Sequence, residues 1–326
     1  MINFTELWHL ISALGTTGLF ILAPGVLLNV LDVLGWHAML ATDRRAIAFT
    51  ALLKIHISSE AIARSIPLGV PFADSLRLFL LKKETGIPAS ESLVGTIVRR
   101  WSLGLSQCIY VLMGIAAALG SVSVVSSHFL NNTSLGWILI GVVSTTGGIL
   151  LGILCLAGAS GIATRFHNLL QRIPIRKISE FVNLRKEDFA AIDRNLLTLR
   201  TAGHKQLVGS SLYYFASWWM EFLETYILLH AIGLNVSVQD ALALEALVSA
   251  LRLGAFFLPA GAGVQEAGYA GILMALGVAA SPASTALFLL GKRSRDIGWI
   301  VLGYSLLLMK GAIPSRKAVG FYLSEV

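Results

Sequence analysis

The sequence predicts an all-α polytopic membrane protein, and three observations predict it. Its mean hydropathy is +0.75. Of its 326 residues 56% are hydrophobic and 13% charged, against roughly 25% charged in a soluble domain. Windows of about twenty mostly apolar residues, long enough to cross a hydrocarbon core of roughly 30 Å, recur from end to end. The expectation is a single integral membrane domain over residues 1–326, with about six to eight transmembrane helices.

The first window, 11–31, follows a stretch that contains Glu6 and no Lys or Arg. It is also too long for a signal-peptide core, so it reads as a retained helix. Region 46–81 is apolar but interrupted by Pro, Gly and charge. Windows 93–119 and 135–160 are more regular and hold the two cysteines, Cys108 and Cys155, which argues against a disulfide framework or a cysteine metal site. Windows 207–231 and 241–258 follow, then a second interrupted region, 264–290, and a last window, 296–310.

Charge orients these spans. The net charge is +7, but the basic residues form no single long patch of the kind nucleic acid requires. Segment 161–206 carries nine basic residues, from Arg165 to Lys205, beside Glu180, Glu187, Asp188 and Asp193. The positive-inside rule places it in the cytoplasm. Segments 121–134 and 233–239 have no Lys or Arg and read as loops on the other side. Asp43, Arg44, Arg45 and the tail with Lys310, Arg316 and Lys317 then fall in the cytoplasm, with the N-terminus external. A multi-pass protein of the plasma membrane, the inner membrane of a bacterium, is the expectation.

An internal repeat underlies the interrupted regions. Pro67, Gly69 and Asp74 reappear as Pro259, Gly261 and Glu266, all 192 residues later. Each acid is followed by an apolar run, a Gly (Gly86, Gly277), a Pro (Pro88, Pro282) and a basic pair, Arg99-Arg100 or Lys292-Arg293. The alternative is the shared Pro, Gly and Leu usage of helical membrane proteins. The repeat units lie near 46–101 and 240–293, and segments 74–83 and 266–276 are each too short to cross at 1.5 Å per residue. Each unit therefore holds a broken or re-entrant helix, which is tolerated only where protein or water satisfies its backbone. The charge map runs the helices before Pro67 and Pro259 in opposite directions, as in transporters with inverted repeats.

Several charges fall inside apolar windows, where each costs about 2.5–3.5 kcal/mol at mid-bilayer on insertion scales. Helical spacing aligns His56, Glu60 and Arg64, and likewise Glu245, Ser249 and Arg252. Ser217, Glu221 and Glu224 form a third stripe, and Arg100, Gly104 and Gln107 a fourth. A polar cavity accounts for them together. Taken singly, Glu60 and Arg64 read equally as a structural ion pair, the two basic pairs as interfacial residues snorkelling to headgroups, and Glu221 and Glu224 as headgroup-level residues. Asp74 and Glu266 read as helix caps, each at the start of a short helix after a Pro/Gly turn. The residues assigned to substrate binding or translocation are Glu60, Arg64, Asp74, Arg77, Arg99, Arg100, Glu245, Arg252, Glu266, Lys292 and Arg293. None is assigned a catalytic or metal-ligating role, and no cofactor is expected.

Soluble-enzyme signals fail on spacing. Gly261-Ala-Gly263-Val-Gln-Glu-Ala-Gly268 lacks the dinucleotide-binding spacing, and there is no Walker A sequence, HExxH or GxSxG. Gly148-Ile-Leu-Leu-Gly152 is a small-xxx-small pattern of the kind that marks close helix packing.

The run from Leu251-Arg252 through Pro259-Ala-Gly261-Ala-Gly263-Val-Gln-Glu266-Ala-Gly268 resembles the flippase-like family typified by the membrane region of lysylphosphatidylglycerol synthases. That family carries an Arg and then Pro-Gly-Gly-x-Gly-Val-x-Glu. Lys292-Arg293-Ser-Arg295-Asp296-Ile-Gly-Trp299 resembles its Arg-rich segment. Glu60, Pro67, Gly69, Asp74, Arg77 and Gly86 resemble its N-terminal motif, with Pro71-Phe72 where that motif commonly has Gly-Gly. The chain is most similar to the branch associated with hopanoid biosynthesis. The resemblance implies movement of a lipid or lipid-linked headgroup between leaflets. It implies no enzyme, because the synthases' aminoacyl-transfer domain has no counterpart here. Two other classes stand beside a translocator: a noncatalytic partner organising lipid-biosynthesis proteins through segment 161–206, and a lipid-modifying enzyme using Asp74 or Glu266 as acid or base. The expected partners are membrane lipid and such proteins, not nucleic acid.

Overall fold

The computed structural model describes residues 17–40, 47–86, 89–157, 204–254, 261–278 and 281–309, with Leu258 and a few residues between 161 and 194. Among these there are ten helices and no strand, which is the all-α class expected. They are α1 (Thr17–Met39), α2 (Phe49–Ser65), α3 (Gly69–Thr85), α4 (Ala89–Ala117), α5 (Leu119–Leu130), α6 (Leu135–Ala157), α7 (His204–Ala231), α8 (Val238–Gly254), α9 (Val264–Ala275) and α10 (Pro282–Met309). Residues 1–16 and the tail from Lys310, with their expected orientations, lie outside the described residues, as does most of segment 161–206.

The first break forms where the sequence placed it. Ile66 is extended at the end of α2, Leu68 is left-handed at φ 52°, and α3 starts at Gly69. Only glycine fits there, because a Cβ on Gly69 would lie 2.6 Å from the carbonyl oxygens of Ile62 and Ala63. Pro259, the second breaker, lies outside the described residues. Both helices that follow the breaks run out at a left-handed glycine: Gly86 (φ 70°) caps α3, and Gly277 (φ 66°) follows α9, as expected for a residue with no Cβ.

Several boundaries differ from the sequence reading. Helix α3 begins five residues before Asp74 and is 17 residues long, so it is not the stub expected, and Asp74 sits in its second turn rather than at a cap. Helix α9, with 12 residues, spans only about 18 Å. Region 121–134 is not a plain loop, since its apolar, β-branched run forms α5, bent 88° from α4. The last window is the second half of α10, which begins at Pro282, so Lys292 and Arg293 lie inside a helix rather than before one.

Helices α1 to α4 and α7 to α10 keep most of their pairings when the two groups are exchanged, although α4 also packs closely on α7 with no comparable contact between α10 and α1. Helix α1 lies along α7, and α2 against α10 just as α8 lies against α4. Such reciprocity is what a two-fold relation produces. Both cross-pairings close through a glycine: a Cβ on Gly303 of α10 would lie 2.5 Å from Ala61 Cβ in α2, and one on Gly114 of α4 would lie 2.7 Å from Ala246 Cβ in α8. The fourth helix of each group also ends in the other group's core. Ile115 of α4 is buried with α8 and α9, whereas Leu307, 192 residues later, is buried with α1, α2 and α3.

Helix α6 stands apart. Its segment Leu135–Ile153 is the one described helix that is alone long and apolar enough to span a bilayer, joined by the bent α4–α5 pair if that counts as one span. It is mostly exposed, with Trp137 at 70%. A Cβ on Gly148 or Gly152 would meet nothing within 4 Å, so the small-residue pattern makes no close packing among the described residues. Helices α2, α3 and α8 have 17 residues and α5 and α9 have 12, short of a full span, and α10 carries four of the charges described next.

Candidate functional site

All eleven residues singled out from sequence are in ion pairs, in two groups. In the N-terminal group Glu60 of α2 accepts from Arg77 Nη2 at 3.1 Å and Arg99 Nη2 at 3.3 Å. Asp74 of α3 accepts from Arg77 Nη1 at 2.7 Å and takes a two-pronged grip from Arg100, Nε and Nη2 both at 2.9 Å. Arg99 also faces Asp32 of α1 at 3.8 Å. Arg77 lies across the Trp36 ring at 5.3 Å and is completely buried. The basic pair splits because neighbours on a helix point about 100° apart: Arg99 turns to the upstream helices and Arg100 to α3.

The C-terminal group repeats this plan. Lys292 of α10 sits 3.4 Å from Glu224 of α7 and 3.2 Å from Glu245 of α8, while Arg293 turns to Glu266 of α9. Arg252 bonds Glu221 at 2.9 Å and Glu245 at 3.2 Å. Glu245 further accepts from Tyr269 Oη at 2.7 Å and from Thr225, so four groups converge on a carboxylate with no exposure. Arg295 bonds Glu224 at 2.6 Å and Asp296 at 2.9 Å. Beside this group Gln107 of α4 donates to Ser249 of α8 at 3.1 Å, joining two of the stripes read from sequence.

These contacts settle several alternatives. Glu60 and Arg64 are not partners, since Arg64 reaches across to Asp296 at 2.9 Å and is the ion pair that ties the two groups together. Arg99 and Lys292 are buried rather than snorkelling, because carboxylates wait inside the bundle. Glu266 does act as a cap, accepting from the Gly263 N–H at 2.8 Å, and its other oxygen holds Arg293. Glu221 and Glu224 are buried and paired with Arg252, Lys292 and Arg295.

The networks also take in residues outside the eleven: Glu221 and Glu224, which the sequence aligned only as a stripe, and Asp32, Thr225, Tyr269, Arg295 and Asp296. The repeat offset held a signal for two. Asp32 lies 192 residues before Glu224, and Arg77 the same distance before Tyr269; Asp32 and Glu224 each face the first member of a basic pair, and Arg77 and Tyr269 each reach an acid on the preceding helix. Among the described residues no three His, Cys, Asp or Glu side chains group as a metal site. A crevice opens beside Glu266, Tyr269, Lys292, Arg293 and Asp296. It is narrow, not the open chamber a cavity implied, because the charges close on one another.

An all-α bundle of helices that hide this many charges against each other fits a membrane protein, and comparison with known families decides which. Residues 1–291 match the model of the lysylphosphatidylglycerol synthase TM region. The chain belongs to this family. No curated protein and no solved structure matches it. As a member of the lysylphosphatidylglycerol synthase TM-region family it is a membrane protein of lipid metabolism, and the paired charges are what such a region keeps out of contact with lipid tails.

Proposed function

We propose that the chain is a lipid translocator that moves a lipid or lipid-linked headgroup between leaflets of the plasma membrane and catalyses no covalent chemistry. The observation that supports this reading best is that each half presents an acid on the helix after its proline, Asp74 or Glu266, to the second member of a basic pair on the next helix, Arg100 or Arg293. These pairs stand at the partly exposed edge of otherwise buried networks. A headgroup that enters there exchanges partners with them while its tails stay in lipid. The largely exchange-symmetric packing supports two units that run in opposite directions through a multi-pass fold, the arrangement in which transporters rock about a central site. The link to hopanoid biosynthesis rests on the sequence resemblance.

The test is lipid movement in proteoliposomes, measured with tail-labelled phospholipids and a membrane-impermeant quencher. Glu266→Gln retains an acceptor for the Gly263 N–H, so a mere cap loses on the order of 1 kcal/mol or less and leaves the rate unchanged. The translocator reading expects the rate to collapse towards the protein-free background while the variant still folds and inserts. Equal rates for wild type and Glu266→Gln remove Glu266 from the path, and a wild type no faster than protein-free vesicles removes the function.

A further inference from the structure

The charge balance of the two networks bears on the headgroup, an inference that rests on the translocator reading. In the N-terminal group three carboxylates meet three guanidiniums. In the C-terminal group, with Arg64 included, five carboxylates meet five cations. Among the described residues each group is neutral by itself, and the ion pairs named above use every member. A site so built has no spare charge to offer a ligand.

Exposure singles out where a ligand arrives. Glu266–Arg293, at 32% and 25%, and Asp74–Arg100, at 22% and 24%, are the ion pairs in which both side chains keep more than a fifth of their surface. They occupy matching places in the two halves, and the first borders the crevice. An anionic headgroup that takes Arg293 strips Glu266 of that guanidinium and leaves the group one negative charge in excess. A cationic headgroup that takes Glu266 does the reverse. Either leaves an uncompensated charge in a low-dielectric setting, which is strongly unfavourable. A headgroup carrying both signs replaces both partners at once, its phosphate on the guanidinium and its ammonium on the carboxylate, and the group remains neutral.

We propose that the translocated lipid has a zwitterionic headgroup, a phosphate joined to an ammonium with no net charge, and that Glu266–Arg293 and Asp74–Arg100 are the pairs it opens on either side.

The full chain in proteoliposomes is presented with three tail-labelled probes: phosphatidylcholine, anionic phosphatidylglycerol and a cationic trimethylammonium-propane lipid. The inference expects phosphatidylcholine to move about tenfold faster than either singly charged lipid, the scale on which an unpaired charge discriminates. A preference for either charged probe, or equal rates for all three, overturns it while leaving translocation standing. Movement of none overturns translocation and this inference together. Glu266→Gln and, in the other half, Asp74→Asn each give their group a net positive charge, so the phosphatidylcholine-to-phosphatidylglycerol ratio should fall about tenfold even where the absolute rate drops. A ratio that stays at the wild-type value in both variants overturns it as well.

Discussion

The two halves solve one problem with opposite polarity. In the first, the residue seven positions before the break proline is an acid, Glu60, and two arginines converge on it. At the matching position of the second stands a base, Arg252, and the converging acid, Glu245, has moved two turns upstream. Where the first half places Arg77 on the helix after its proline, the second places Tyr269, and both reach the acid on the preceding helix. What the fold preserves is therefore the connection between helices and the neutrality of each group, not the residue that supplies it. The physical reason is that lipid penalises a net charge far more than it penalises a change of donor.

Removing the two hubs sharpens that comparison and gives the largest expected effect. Glu245 is fully buried, and Glu245→Ala leaves Arg252 and Lys292 short of a partner; a loss of about 3–5 kcal/mol is expected, read as thermal unfolding in detergent. Glu60 keeps 20% exposure and serves two groups rather than four, and Arg77 and Arg99 retain Asp74 and Asp32, so Glu60→Ala should cost clearly less. Equal losses would show that the halves are energetically equivalent after all.

The crossing glycines test the packing side of the same relation. Gly303→Ala drives a methyl against Ala61 and the Ile57 carbonyl, and Gly114→Ala against Ala246. Both should destabilise by about 1–3 kcal/mol, Gly303→Ala more, because the backbone it meets cannot rotate away. A neutral Gly303→Ala in the same unfolding measurement would mean that α2 and α10 are free to separate.

The smallest effect is expected at the tie between the groups. Arg64 is 23% exposed, and Asp296 retains Arg293 and Arg295 when Arg64 is lost. Arg64→Gln should therefore cost about 1 kcal/mol or less. A loss as large as that of Glu245→Ala would identify this bridge, rather than the internal pairs, as what holds the two groups together.

How much of this was legible in the sequence differs from element to element. The break at Pro67 and the glycines that end the helices after the prolines were readable, because few residues other than Pro and Gly produce those backbone states. So were most of the charged residues, since an ionisable side chain inside an apolar window must find a partner, though Asp32, Arg295 and Asp296 were missed. The start of α3 was not readable. Leu68 is left-handed there without being a glycine, which no propensity announces, so the helix began five residues earlier than Asp74 suggested. Helix α5 was hidden because a run lacking charge looks the same as a short loop or a bent helix.

By itself the sequence determined the class, the first break, the family and most of the residues that are paired, because each is set by local backbone chemistry or by the cost of charge in lipid. Partner choice was decided only by the tertiary structure. Glu60 stood one turn from Arg64 and bonded neither it nor its stripe, while Arg64 found Asp296, 232 residues away. The reason is geometric: helical periodicity says which face a side chain occupies, but the face it meets is set by how α2 crosses α10, and that crossing is fixed by a glycine, Gly303, on the other helix.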